Sequence, residues 1–164
     1  MKTLLIIRHA KSSWDISTLN DFDRSLNDRG KKDAPVMAQR LLDKKINIDA
    51  FVSSPAKRAK KTAELFCYTY DKNKDHIIFV PSLYHAASQI FFNVIQQLNN
   101  DFESVAIFSH NPGITEFVNQ LVENVHIDNM PTCSIFAVKI NSTNWKDFIQ
   151  AKKELLFFDY PKII

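Results

Sequence analysis

The apolar run Leu4-Leu5-Ile6-Ile7 leads without a break into Arg8-His9-Ala10-Lys11-Ser12-Ser13-Trp14. An uninterrupted apolar run with β-branched members reads as a strand buried on both faces, the kind found in parallel sheets covered by helices. Its carboxyl end therefore delivers Arg8 and His9 to the sheet edge where strand ends and helix starts meet, which is where open α/β sheets bind ligands. A guanidinium fork and an imidazole at that edge suit a phosphate dianion: one grips oxygens, the other attacks or donates a proton. Two ordinary surface residues at a strand end would give the same local pattern, so the other strand ends must decide.

A chain of 164 residues supports one well-buried core, and a single domain over residues 1–164 is expected. A formal net charge of +3 fits an anionic ligand but falls short of a nucleic-acid footprint. The lysines are scattered apart from a local group at Lys57, Lys60 and Lys61. Gly30 and Gly113 are the only glycines, which excludes a glycine-rich nucleotide loop of the Walker or dinucleotide type. Cys67 and Cys133 lie far apart and belong to no metal-spaced or redox motif, so both are expected buried and reduced. With no secretory leader and no apolar run of membrane length, a monomeric cytoplasmic protein without membrane contact is expected.

The elements follow a strand-then-helix rhythm. A polar loop over 15–28 carries Asp21, Asp23 and Arg24 beside the proposed pocket. A helix follows with Asn27 as N-cap, and Pro35 marks either a restart at Asp33 or a kink. Ala50–Ser53 forms a short strand. Ser54-Pro55 then reads as an N-cap with proline at the first helical position, which puts Arg58 in the first turn at the same sheet edge. A third strand over Ile77–Val80 ends at Pro81, the loop Leu83-Tyr84-His85-Ala86 follows, and Ser88 caps a helix. Val105–Ser109 is a buried strand that delivers His110. Asn111-Pro112-Gly113 repeats the N-cap and proline arrangement, with first-turn N–H groups expected to face the crevice. Ser134–Ile140 is a fifth strand, and 145–158 an edge strand or hairpin without assigned function.

Arg8 with His9, Arg58, and His110 thus fall at separate strand-to-helix junctions on one edge. With Arg8-His9-Ala10, the segment Ser53 to Ala59 continuing to Thr62-Ala63-Glu64, and Ser109-His110-Asn111-Pro112-Gly113, the chain resembles the histidine phosphatase superfamily, also called phosphoglycerate mutase-like. Arg8 to Trp14, Asp21-Phe22-Asp23-Arg24-Ser25-Leu26-Asn27, and Phe157-Phe158 with Pro161-Lys162 look most like its SixA-like phosphohistidine phosphatases. The resemblance implies an α/β three-layer sandwich, with a mainly parallel central sheet flanked by helices. It implies His9 as the nucleophile that takes the phosphoryl group and passes it to water, with Arg8, Arg58 and His110 holding the phosphoryl oxygens. Lys11, Ser12, His85 and Asn111 are candidate substrate contacts. No metal and no cofactor are implied, since side chains supply the cations.

The chain departs from the pattern in two places. Ala10 stands where most relatives have glycine, and Asp15 where many have asparagine, so Asp15 is expected to point away or hold a cation. More telling is the general acid. Relatives that cleave esters place a carboxyl group after the third strand or after the second histidine; here Asn111 follows His110, and the loop after strand three offers only His85. An imidazole leaving group can depart already protonated, so the missing carboxyl favours phosphohistidine over a sugar phosphate. No lid-length insertion is seen, which suits a phosphorylated protein, such as a phosphohistidine signalling domain, as partner. Two other readings stay open: a small-molecule phosphomonoesterase using His85, Asp21 or Asp23 as acid, and a non-catalytic module that binds phosphorylated partners.

Overall fold

A computed structural model describes residues 1–14 and 20–163. Asp15 therefore lies outside the described residues. The strands β1 (Lys2–Arg8), β2 (Ala50–Ser53), β3 (Ile78–Phe79), β4 (Ser104–Ser109), β5 (Ile135–Ile140) and β6 (Lys153–Asp159) form one sheet in the order β3-β2-β4-β1-β5-β6. The first four run parallel; β5 is antiparallel to β1, and β6 antiparallel to β5.

The apolar run of β1 explains the layering, because successive side chains point to opposite faces. Leu4 and Ile6 pack with Val52, Ile107, Phe91 and Phe117 on the face covered by α3 (Ser88–Gln96) and α4 (Gly113–Val118). Leu5 and Ile7 pack with Phe51, Phe108, Met37, Leu41 and Phe66 under α1 (Asp28–Asp43) and α2 (Lys57–Thr69). All four β1 residues are fully buried. At roughly 1.5–3 kcal/mol for each large side chain removed from water, this strand anchors both halves of the core. The result is the expected three-layer α/β architecture.

Several helix starts differ from expectation. Asn27 caps α1 as predicted, its side chain accepting from the Gly30 N–H, and α1 runs through Pro35 without restarting at Asp33. By contrast α2 begins at Lys57, with Ala56 and not Ser54 at the N-cap. Ser54 Oγ instead accepts from Ala56 N–H at 3.2 Å and meets the His110 ring at 2.7 Å. Ala87, not Ser88, precedes α3, and Pro112, not Asn111, precedes α4. Asn111 Oδ1, the atom a cap would use, accepts from the Thr115 hydroxyl in α4, while the amide group donates to Asn129 and Met130. The first-turn N–H of Ile114 is taken by the His110 carbonyl at 3.0 Å, so it does not face the crevice. The third strand shrinks to two exposed residues at the sheet edge. The C-terminal region resolves into edge strand β6, after a short turn that buries Trp145 with its indole N–H on the Phe102 carbonyl.

Candidate active site

β1 and β4 are parallel neighbours in register, with Arg8 opposite Ser109, so each ends by presenting its next residue at the same level. The His9 N–H donates to the Ser109 carbonyl at 3.1 Å, and the Cys133 N–H donates to the His9 carbonyl at 3.0 Å. The loop before β5 thus closes over the backbone of His9. Ala10 N–H donates to Thr62 Oγ1, whose hydroxyl donates on to the Arg58 carbonyl at 2.7 Å. This relay ties the turn after β1 to the first turn of α2 and sets His9 against Arg58.

The imidazoles of His9 and His110 lie 5.2 Å apart between centroids, tilted by 50°. His9 Nδ1 is 2.7 Å from the Ala10 carbonyl, which can only accept, so Nδ1 carries the hydrogen and Nε2 keeps its lone pair. Burial lowers the pKa of His9 to about 3; the Ala10 bond pulls upward, and Arg58, Arg8 and Arg24 push further down. Sequence reasoning credits the cations with keeping this ring neutral, whereas desolvation is the larger cause. His110 is lowered to about 2, again chiefly by burial, with His9, Arg58 and His85 adding to the effect.

Arg8 donates from Nη1 to the Met130 carbonyl at 2.7 Å, and its pKa is lowered by burial and by Arg58 nearby. Among the described residues, Arg8 Nε, Arg58 Nε and His110 Nδ1 are buried without a hydrogen-bond partner. A buried polar group left unpaired costs about 1–3 kcal/mol. Three of the six such atoms among the described residues lie on predicted site residues, the others being Asp33 Oδ2, Ser104 Oγ and Ser134 Oγ, and an anion between those three residues would give them partners.

The sequence shows less of the carboxylate that faces these cations. Arg58 donates to the Asp21 carbonyl at 2.6 Å and to Asp21 Oδ2 at 2.9 Å. Tyr84 OH donates to the same Oδ2 at 2.7 Å, Arg24 Nε to Oδ1 at 3.1 Å, and His85 Nε2 lies 3.6 Å away. Partial burial would raise the Asp21 pKa, but the bonds from Tyr84, Arg58 and Arg24 hold it well below the usual carboxylate range. Asp21 is thus held as the anion, a poor proton donor as arranged, and among the described residues Asp23 makes no side-chain bond to these groups. The Asp21-x-x-Arg24 spacing in a charged loop is the one sequence signal for this network.

The candidate substrate contacts divide. His85 is exposed at the mouth, its backbone left-handed at φ 55° and its ring against Tyr84 at 3.9 Å and 6.5 Å from His110. Ser12 Oγ is engaged by Arg24 Nη1 at 2.7 Å, and Asn111 braces the loop at Asn129 and Met130, so both reach the site through neighbours. Lys11 enters through its carbonyl, which accepts from Asn27 N–H. Trp14 is exposed and stacked on Arg24 at 3.6 Å, a rim residue and not core. Among the described residues no group of three or more His, Cys, Asp or Glu could hold a metal ion, and no helix is long and apolar enough to cross a membrane.

A structure of SixA protein histidine phosphatase complexed with tungstate superposes with a TM-score of 0.82 at 22% identity, covering 97% of each chain. A protein assigned as phosphohistidine phosphatase SixA from Agrobacterium tumefaciens gives 0.81 at 22%, covering 98% of each. At these identities the likeness establishes the fold. An uncharacterised chloroplastic protein of Arabidopsis thaliana is 27% identical over 154 residues, 89% of this chain and 70% of its own length. A 2,3-bisphosphoglycerate-dependent phosphoglycerate mutase of Bartonella henselae is 27% identical over 84 residues, 50% of this chain and 41% of its own. A profile of the histidine phosphatase superfamily, branch 1, matches residues 4–77, a span that contains Arg8, His9 and Arg58. β4 brings His110 beside them, and over that matched span the chain is similar to the histidine phosphatase superfamily, branch 1.

Proposed function

We propose that this protein is a phosphohistidine phosphatase that acts on phosphorylated proteins through a phosphohistidine formed on His9. The observation that carries the reading is the His9 ring itself: buried, neutral, with Nδ1 spent on the Ala10 carbonyl and Nε2 without a protein partner among the described residues. In the first step the Nε2 lone pair attacks phosphorus, a bond forms to Nε2, and the bond to the leaving imidazole of the substrate breaks. Arg8, Arg58 and His110 hold the oxygens, and the charge that builds on them is met by preorganised donors. In the second step water attacks the same phosphorus, His9 leaves, and phosphate is released. An imidazole leaves already protonated, so the first step makes no demand on Asp21, which is held as the carboxylate.

The test is hydrolysis of a phosphohistidine-bearing protein, and of phosphoramidate, with chelator present. Turnover with a phosphorylated His9 trapped by mass spectrometry is expected. His9→Ala should lose both, the rate falling by roughly three orders of magnitude or more. A folded wild-type protein that turns over neither compound overturns the proposal.

One observation favours a second reading, a small-molecule phosphomonoesterase. His85 stands at the mouth between Tyr84 and Asp21, where it could protonate an alkoxide. Strong ester turnover that His85→Ala abolishes, with phosphoramidate turnover retained, would select that reading.

A further inference from the structure

We propose that the lysine-walled cleft between α1 and α2 is a docking surface for an acidic face of the phosphorylated protein substrate. This inference rests on the phosphoprotein reading above. The cleft has a volume of about 480 Å³ and is lined by Ser25, Leu26, Lys31, Lys57, Lys60, Lys61 and Glu64. It gathers the lysine cluster that is singular in the sequence and that the phosphate pocket does not use.

Three features separate this cleft from an ordinary solvated basic face. First, its charge is uncompensated. Lys31, Lys57, Lys60 and Lys61 are exposed, and none forms an ion pair among the described residues. Lys60 lies over the Phe79 ring at 5.7 Å, and the one carboxylate in the lining, Glu64, is drawn toward Lys74 at 3.7 Å. Second, two of the cleft's lining residues are chain neighbours of residues at the candidate site. Lys57 precedes Arg58, and Ser25 follows Arg24, whose guanidinium reaches Asp21. Third, the rim of the candidate site carries exposed aromatics: Trp14 at 72% exposure on Arg24, and Phe22 at 37% edge-on to Tyr84. Aromatic and arginine side chains of this kind are the usual anchors of protein interfaces.

The occupant follows from size and charge. Lys57, Lys60 and Lys61 lie at i, i+3 and i+4 on one face of α2, a row about 6 Å long at the α-helical rise. A small phosphate ester held by Arg8 and Arg58 does not extend along such a row. A folded partner presenting several carboxylates beside its phosphorylated residue does, and like-charged or neutral partners gain nothing. Nucleic acid is the poorer fit, because the basic surface is one cleft on a chain of net charge only +3.

The experiment uses two synthetic peptides with one phosphohistidine each, flanked by glutamates in one and by glutamines in the other. Wild type should show a kcat/KM about tenfold higher on the glutamate peptide at low salt, an advantage that shrinks as ionic strength rises. The double variant Lys57→Glu/Lys61→Glu should erase that preference while turning over phosphoramidate within about twofold of wild type. Equal kcat/KM on both peptides for wild type, or a preference that survives the double variant, overturns the proposal. Should wild type hydrolyse neither peptide, the phosphatase reading fails. The cleft is then judged by anisotropy titration of the unphosphorylated, fluorescently labelled glutamate peptide: salt-sensitive binding lost in the double variant supports it, and equal binding by both proteins overturns it.

Discussion

The two buried imidazoles make the fold acid-sensitive in a way that can be worked out from the structure. His9 is 6% exposed and His110 3%, and their folded-state pKa values of about 3 and about 2 lie far below the ordinary 6.5. As pH falls below 6.5 the unfolded chain takes up protons that the folded chain refuses, so stability is full above that value and declines toward the folded-state values. At pH 5 both folded rings are still neutral, which makes the cost independent of their exact values and of their mutual repulsion. The difference is the unfolded-state protonation alone, about 2 kcal/mol for each ring and about 4 kcal/mol for the pair. Urea unfolding followed by circular dichroism at pH 7.5 and pH 5, in phosphate-free buffer, reads this directly; the melting temperature should fall by roughly 8–16 °C. Asp21, held below the usual carboxylate range, adds its own loss only at more acidic pH. His9→Asn/His110→Gln should remove most of the dependence. A wild-type stability that is flat between pH 7.5 and pH 5, or equally steep in the double variant, would refute the buried neutral pair.

Two further substitutions probe the neighbours of the pair. Asp21 competes with any bound anion for the Arg58 guanidinium, so Asp21→Asn, which keeps the Tyr84 contact, should tighten binding of inorganic phosphate about threefold to tenfold by calorimetry. Weaker binding would mean that Asp21 chiefly orients Arg58. At Gly113 an added Cβ would collide with the Ala86 carbonyl, so Gly113→Ala should cost about 2 kcal/mol or more in urea unfolding and lower turnover by displacing the loop that carries His85. Unchanged stability would show that the Ala86 backbone yields freely.

Legibility followed the range of the interactions. Arg8, His9, Arg58 and His110 could be read because each follows a strand whose apolar run is local, and strands of one parallel sheet must end at one edge. The sheet order was less accessible, since β5 inverts direction by pairing with β1 from more than 100 residues away, and β6 then returns beside β5. Helix starts were misread at Ser54 and Asn111 for a related reason. Both side chains are good caps by type, but each oxygen has another partner: the His110 ring, from a distant segment, for Ser54 Oγ, and the nearby Thr115 hydroxyl for Asn111 Oδ1.

The chain's own order of apolar runs and turn residues determined the α/β class, the sheet edge at which the strands end, and the residue types gathered there, because these depend on side-chain period and backbone preference within a few residues. Only the packed structure decided that desolvation more than charge keeps His9 neutral, that the Ala10 carbonyl selects its Nε2, and that Asp21 fills the hands of Arg58, Arg24 and Tyr84. Burial of His9 and the bonds of Arg58 and Tyr84 to Asp21 depend on groups brought together from separate elements, and even the sequence-near bonds to Ala10 and Arg24 form only once the turns that carry them are packed.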